Sequence, residues 1–252
     1  MYLVLPAHGA SARRAVRMAY VEGYPGEKTK DVAVKHLAFI IIVIIMITGI
    51  MLFHAEDWKA DISRIGIIVG IITAIIVFVS YKVNPLGWKR LFKKTDYDNM
   101  LRLDRMVADE LNALDDNYYI FNDLTFELFH IQNFVISKYG IFVVSKIREN
   151  ETLSVRKEVL FAGDNPLDTL TGNLWRVCHL VNIVFKKGFK EEIMPKPILV
   201  APEAASVAVK EHDGITVIPL VKLNETIEKE TQEIIDLDLV QSFAYFIKKR
   251  YT

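Results

Sequence analysis

One cysteine, Cys178, occurs in 252 residues. No internal disulfide can form, and without a CxxC pair the six scattered histidines suggest no zinc site. Cys178 stands among Leu174, Val177 and Val181 on a helical pattern and reads as a packed core thiol. The chain has no Walker or GxGxxG phosphate loop and no internal repeat, so nucleotide-binding and solenoid classes find no support. Net charge is missing too, with 31 Lys and Arg against 31 Asp and Glu. Phosphate neutralisation supplies most of the affinity for nucleic acid, so nucleic acid is not a favoured partner. The clearest basic clusters, Lys89–Lys94 and Lys248–Arg250, suit anionic lipid headgroups or simple solvation.

Charge is also absent locally, and this absence is the more informative one. Residues 37–53 (LAFIIIVIIMITGIMLF) and 65–81 (IGIIVGIITAIIVFVSY) carry no charged side chain. Each run covers roughly 25 Å as a helix, and the flanking residues extend it toward the ~30 Å of hydrocarbon in a bilayer. The rest of the chain is too small to wrap both runs in a water-soluble core. The composition therefore predicts a transmembrane helical hairpin over residues 36–82, in contact with the lipid bilayer. Arg13, Arg14, Arg17, Lys28, Lys30 and Lys35 precede it, and Lys82, Lys89, Arg90, Lys93 and Lys94 follow. The connecting loop leans acidic through Glu56, Asp57 and Asp61. By the positive-inside rule both termini are expected in the cytoplasm, with Trp58, Tyr81 and Trp88 at the interfacial belts.

Within the second run Gly66 and Gly70 form a GxxxG step, and Thr48 with Gly49 offers a small spot on the first. Such residues let helix backbones approach closely, either between the two spans of one chain or against another subunit. Residues 1–35 form an N-terminal cytoplasmic segment whose start is too short for a convincing signal peptide. Residues 10–21 fit either a basic amphipathic turn on anionic lipid or a disordered or partner-bound tail. Residues 83–98 form a basic juxtamembrane linker around WKRLFKK.

Residues 99–252 alternate helix and strand patterns. Leu103, Val107, Leu111 and Leu114 predict an amphipathic helix over 99–115. Strand patterns follow at Tyr118–Phe121, Phe126–Ile131, Asn133–Ile136, Ile141–Lys146 and within Thr152–Phe161. Asn165–Pro166 opens a helix carrying Leu170, Leu174, Val177, Val181 and Val184, ended near Lys186, Lys187 and Gly188. Strands at Pro197–Ala201 and Ile215–Pro219 and helical patterns at Lys222–Ile235 and Leu237–Arg250 complete the domain. This order implies an α/β sandwich around one mixed sheet.

The strand pair Phe129–Asn150, with a tight turn at Ser137–Gly140, carries a family resemblance together with Tyr119–Leu124 and Asn165–Leu167. In order and spacing these pieces resemble the nuclease-related domain (NERD), of restriction-endonuclease-like fold, over roughly residues 100 to 235. The resemblance implies a Mg²⁺-dependent nuclease site. Its parts are a Glu on the first helix, an Asp on the first hairpin strand and a Glu-x-Lys on the second. Carboxylates would hold the cation while the Lys supports phosphate chemistry.

Aligned on Gly140, the helix Glu falls on Glu110, but the Asp position falls on Gln132 and the strand Glu on Ser145. An amide and a hydroxyl lack the charge needed to hold a hard divalent cation. The Lys position falls on Ile147, with Lys146 one residue early and so aimed at the opposite face unless a bulge intervenes. Asp123, Glu149 and Glu151 are the acids near enough to substitute. The sequence thus predicts a pseudoenzyme: a degenerate nuclease-like domain serving as scaffold or accessory subunit among other membrane protein subunits, with no cofactor. The alternatives are an active membrane-tethered nuclease with a rearranged Mg²⁺ site, or a nucleic-acid tether that does not cleave.

Overall fold

The computed structural model describes residues 18–25, 27–53, 58–83, 94–127, 129–149, 151–202 and 205–251. Residues 1–17, Trp88 and the Lys89–Lys93 collar lie outside them. Two long helices come first, α1 (Glu27–Phe53) and α2 (Trp58–Val83), after a short strand β1 (Tyr20–Glu22). Helix α3 (Lys94–Leu111) leads into β2 (Tyr118–Phe126), β3 (Phe129–Ser137) and β4 (Gly140–Lys146). A small three-stranded sheet follows, β5 (Leu153–Arg156), β6 (Val159–Ala162) and β7 (Asn165–Pro166). Then come α4 (Asp168–Phe189), β8 (Lys196–Ala201), β9 (Glu211–His212), β10 (Ile215–Pro219), α5 (Leu223–Glu228) and α6 (Leu237–Tyr251).

The main sheet has seven strands in the order β1-β2-β3-β4-β8-β10-β9. Strands β1, β2, β4, β8 and β10 share one direction, while β3 and β9 oppose it. The expected mixed α/β sheet is therefore present. β4 reads GIFVVSK and is buried along nearly its whole length, as a central strand covered on both faces must be.

Its alternation splits the core in two. Ile141, Val143 and Ile147 join Val177, Val181 and Phe185 of α4 and Val240, Phe243 and Ile247 of α6. Phe142 and Val144 join Val107 and Leu111 of α3 and Leu223 and Ile227 of α5 on the other face. Cys178 is fully buried in the α4 layer, where burial pushes its thiol up to about 12.

Several boundaries differ from the sequence pattern. The strand pattern Phe126–Ile131 is cut by a left-handed turn at Glu127 (φ 52°), so Phe126 ends one strand and Phe129 begins the next. Asn165–Pro166 pairs with β6 as a strand, and helix α4 starts only at Asp168. The pattern over Lys222–Ile235 yields a helix of six residues, because Ile234 and Ile235 leave it to donate their backbone N–H to the Lys138 carbonyl (2.9 and 3.1 Å). β1 was not legible at all. It pairs in parallel with β2, Tyr20 opposite Tyr119 and Glu22 opposite Phe121. Gly23 permits this approach, since a Cβ there would sit 2.3 Å from the Asn122 carbonyl oxygen.

The apolar helices are exposed rather than wrapped. Phe39 and Ile45 on α1 are each 64% exposed, Ile67 on α2 is 62% exposed and Phe78 is 61% exposed. Among the described residues one helix, Ile62–Lys82 at 21 residues, is long and apolar enough to cross a membrane by length and composition. The apolar part of α1, Leu37–Phe53, is shorter and falls below that length. Gly49, Gly66 and Gly70 have nothing within 4 Å of where a Cβ would lie, so these glycines do not join the two helices of one chain.

Candidate functional site

Strands β2 and β4 end on the same side of the sheet, and the residues aligned with the nuclease site lie around those ends. β2 and β3 both lose their simple alternation there. Phe121, Leu124 and Phe126 all face the α4/α6 layer, as do Ile131, Phe134 and Ile136 on β3. The slip occurs at Asp123, whose φ of 56° re-aims successive side chains, and at its cross-strand neighbour Gln132. On one side of the slip Asn133 donates to the Asn122 side-chain carbonyl at 2.7 Å, both residues being buried. On the other, His130 Nε2 lies 3.4 Å from Asp123 Oδ1.

Gln132 and Ser145 come together across β3 and β4, with the Ser145 hydroxyl donating to Gln132 Oε1 at 3.4 Å. Ser145 shares its face with Val143 and Ile147, the α4/α6 side. Lys146 points the other way, toward α3, where its ammonium contacts the Asp104 carboxylate. Ile147 is fully buried and offers no polar atom. Glu110 sits on α3, six residues beyond Asp104 and so about 9 Å farther along the helix axis. Its backbone carbonyl accepts the Asn224 amide at 2.6 Å.

The four aligned positions therefore fall on two faces of the sheet, and Mg²⁺ does not fit them. The pair on one face is an amide and a hydroxyl. On the other face the Asp104 carboxylate is already matched by an ammonium. The nearby acids do not converge either: Glu149 accepts from Asn165 Nδ2 at 2.8 Å, beside the small sheet, and Asp123 faces His130. Among the described residues no three His, Cys, Asp or Glu side chains are grouped closely enough to hold a metal ion.

Lys146, in contact with Asp104, is the strongly perturbed group at this end. Burial, with a smaller push from the Arg148 charge, lowers the Lys146 ammonium to about 7. The adjoining Asp104 carboxylate acts in the opposite direction and favours the charged form. A buried ion pair contributes little net stability compared with an apolar pair, but leaves a costly charge if either member is removed.

Asp104 is the residue that sequence reasoning missed. It had a signal: with Val107, Ala108 and Leu111 it shares the stripe that α3 turns to the sheet, where an acid requires a partner. Comparison with protein-family models, curated proteins and solved structures finds no match for this chain.

Proposed function

We propose that this chain is an integral membrane protein with two spans and both termini in the cytoplasm. Its α/β domain is read as a degenerate relative of the nuclease-related domain that serves as a non-catalytic scaffold or accessory subunit of a membrane complex. The observation that carries this reading is the pairing of β1 with β2. β1 precedes α1 and β2 follows α2, yet the two strands lie side by side in one sheet. Further contacts tie them: the Ala19 N–H donates to the Leu114 carbonyl at 3.1 Å, and Lys248 reaches Glu22 at 3.1 Å. A chain that leaves a folded domain and rejoins it crosses a bilayer an even number of times.

If Ile62–Lys82 spans, α1 must therefore span as well. Its apolar run of 17 residues covers roughly 25 Å, and local thinning of the bilayer accommodates so modest a shortfall. The excess of Lys and Arg outside the hairpin puts the domain on the cytoplasmic side. Gly66 and Gly70 turn away from α1, which leaves a close-packing step for another subunit's helix.

The non-catalytic part of the reading is supported by the two-faced placement of Glu110, Gln132, Ser145 and Lys146. Extraction in mild detergent followed by affinity purification is expected to recover a fixed set of membrane proteins with the chain. Recovery of the chain alone, together with Mg²⁺- or Mn²⁺-dependent cleavage of DNA or RNA that Glu110→Ala abolishes, would replace the scaffold by the nuclease.

A further inference from the structure

The sheet end that carries the candidate site also carries a groove between α4 and α6, of about 610 Å³. Its walls are Leu180, Ile183 and Val184 of α4, Phe129 at the start of β3 and Phe246 of α6. Ile183 is 48% exposed, an aliphatic side chain left open to whatever occupies the groove. Lys187 and Arg250 stand at the rim. Arg250 Nη2 bonds to Glu127 Oε1 at 3.0 Å, and the Tyr251 hydroxyl donates to the same oxygen at 2.6 Å. The Glu127 charge is thereby matched, and Lys187 leaves the rim with one net positive charge. An apolar trough of this volume with a cationic lip has the chemistry of an amphiphile site whose head is an anion.

The position of the groove selects the amphiphile. Lys248, two residues from both Phe246 and Arg250 and so on the other flank of α6, bonds to Tyr20 (2.5 Å) and Glu22 of β1. Four residues separate the end of β1 from the start of α1. Because β1 runs parallel to β2, the chain leaves the sheet for the apolar helices at the same sheet end that carries the groove, with α6 between them. We infer that the groove takes an acyl chain of an anionic phospholipid from the adjoining membrane, with Lys187 and Arg250 at its phosphate. This rests on the membrane reading above, but not on the scaffold role.

Maleimide labelling of Ile183→Cys in the full chain tests the inference locally, because Cys178 is buried and wild-type protein supplies the background. In nanodiscs of phosphatidylcholine mixed with phosphatidylglycerol, labelling is expected to slow at least fivefold relative to phosphatidylcholine alone. Adding Lys187→Glu is expected to abolish the difference while leaving the rate in phosphatidylcholine unchanged. Equal rates in both lipids overturn the proposal, whether the shared rate is fast, leaving the groove empty, or slow, with any acyl chain filling it. Protection seen only in native membranes, and lost on purification into either nanodisc, also overturns it in favour of a protein partner. Release of the chain from membranes by alkaline carbonate would instead defeat the membrane reading itself.

Discussion

Helix α6 turns Val240, Phe243, Ala244 and Ile247 onto the sheet and leaves Lys248, Lys249 and Arg250 in water, whereas α2 shows Ile67, Ile71, Ile75 and Phe78 outward with no polar face to match. The two helices use similar aliphatic and aromatic side chains, so composition alone does not separate their roles. What separates them is where the apolar surface ends. In α6 it is a stripe that another layer covers, and burial against water supplies the stabilisation. In α2 it goes round the helix, which calls for apolar surroundings on every side, a bilayer on the proposed reading. The comparison predicts that equivalent truncations have unequal consequences in the two regions.

The largest effects belong to the domain. Phe243 meets Phe185 edge-on at 4.8 Å and Phe134 at 6.2 Å, so Phe243→Ala is expected to cost about 3–5 kcal/mol in denaturant unfolding of the detergent-solubilised chain. Asp104→Asn should cost a similar 3–5 kcal/mol by stranding the Lys146 ammonium, whereas Lys146→Met, with Asp104→Leu beside it, should be near neutral or stabilising.

The Asp104→Asn variant also has a pH signature. Burial holds the Lys146 ammonium at about 7 in the folded chain and losing the neighbouring carboxylate moves it further down, while the unfolded chain holds the proton up to about 10.4. The unfolded state binds more protons between those values, so stability of this variant should rise with pH from about 7 toward 10. A flat profile would show that water reaches the ammonium.

Next comes the hairpin. Ile71→Arg places a charge near the middle of α2 and is expected to oppose insertion by about 2.5–3.5 kcal/mol, read as loss of carbonate-resistant membrane protein. Gly23→Ala tests the tie between the regions: the new Cβ meets the Asn122 carbonyl oxygen and the residue sits at φ 81°. A cost of about 1–3 kcal/mol is expected, together with faster hydrogen exchange of the β1 and β2 amides. The smallest effect should be Ile71→Ala, within about 0.5 kcal/mol in the unfolding measurement, since on the proposed membrane reading the lost methylenes face lipid. A cost comparable to that of Phe243→Ala would place α2 inside a protein core and break the comparison.

Much of the domain was legible because its signals are local. The β3–β4 hairpin follows from two apolar runs meeting at Ser137–Gly140, where Gly140 takes a φ of 148° and Ser137 Oγ both donates to the Gly140 carbonyl and accepts the Tyr139 N–H. The stripe of α4 follows from spacings of three and four. The opposite aim of Lys146 and Ser145 follows from strand alternation. Other features had no local signal. The break at Glu127 lies inside a stretch rich in strand-forming residues with no Gly, Pro, Asn or Asp to mark a turn, and the slip at Asp123 requires knowledge of its neighbour on β3. The groove at Lys187 and Arg250 joins residues more than sixty positions apart.

The sequence by itself determined which segments are apolar on one side, which are apolar all round, and that Gln132 and Ser145 cannot supply charge to a metal. These are properties of side-chain type and period, and no fold alters them. Only the tertiary structure decided that Tyr20–Glu22 closes onto β2, that Asp104 meets Lys146, and that Gly66 and Gly70 turn away from α1. Each of these is a contact between residues distant in the chain, selected by the packing of the whole rather than by the pattern of any one segment.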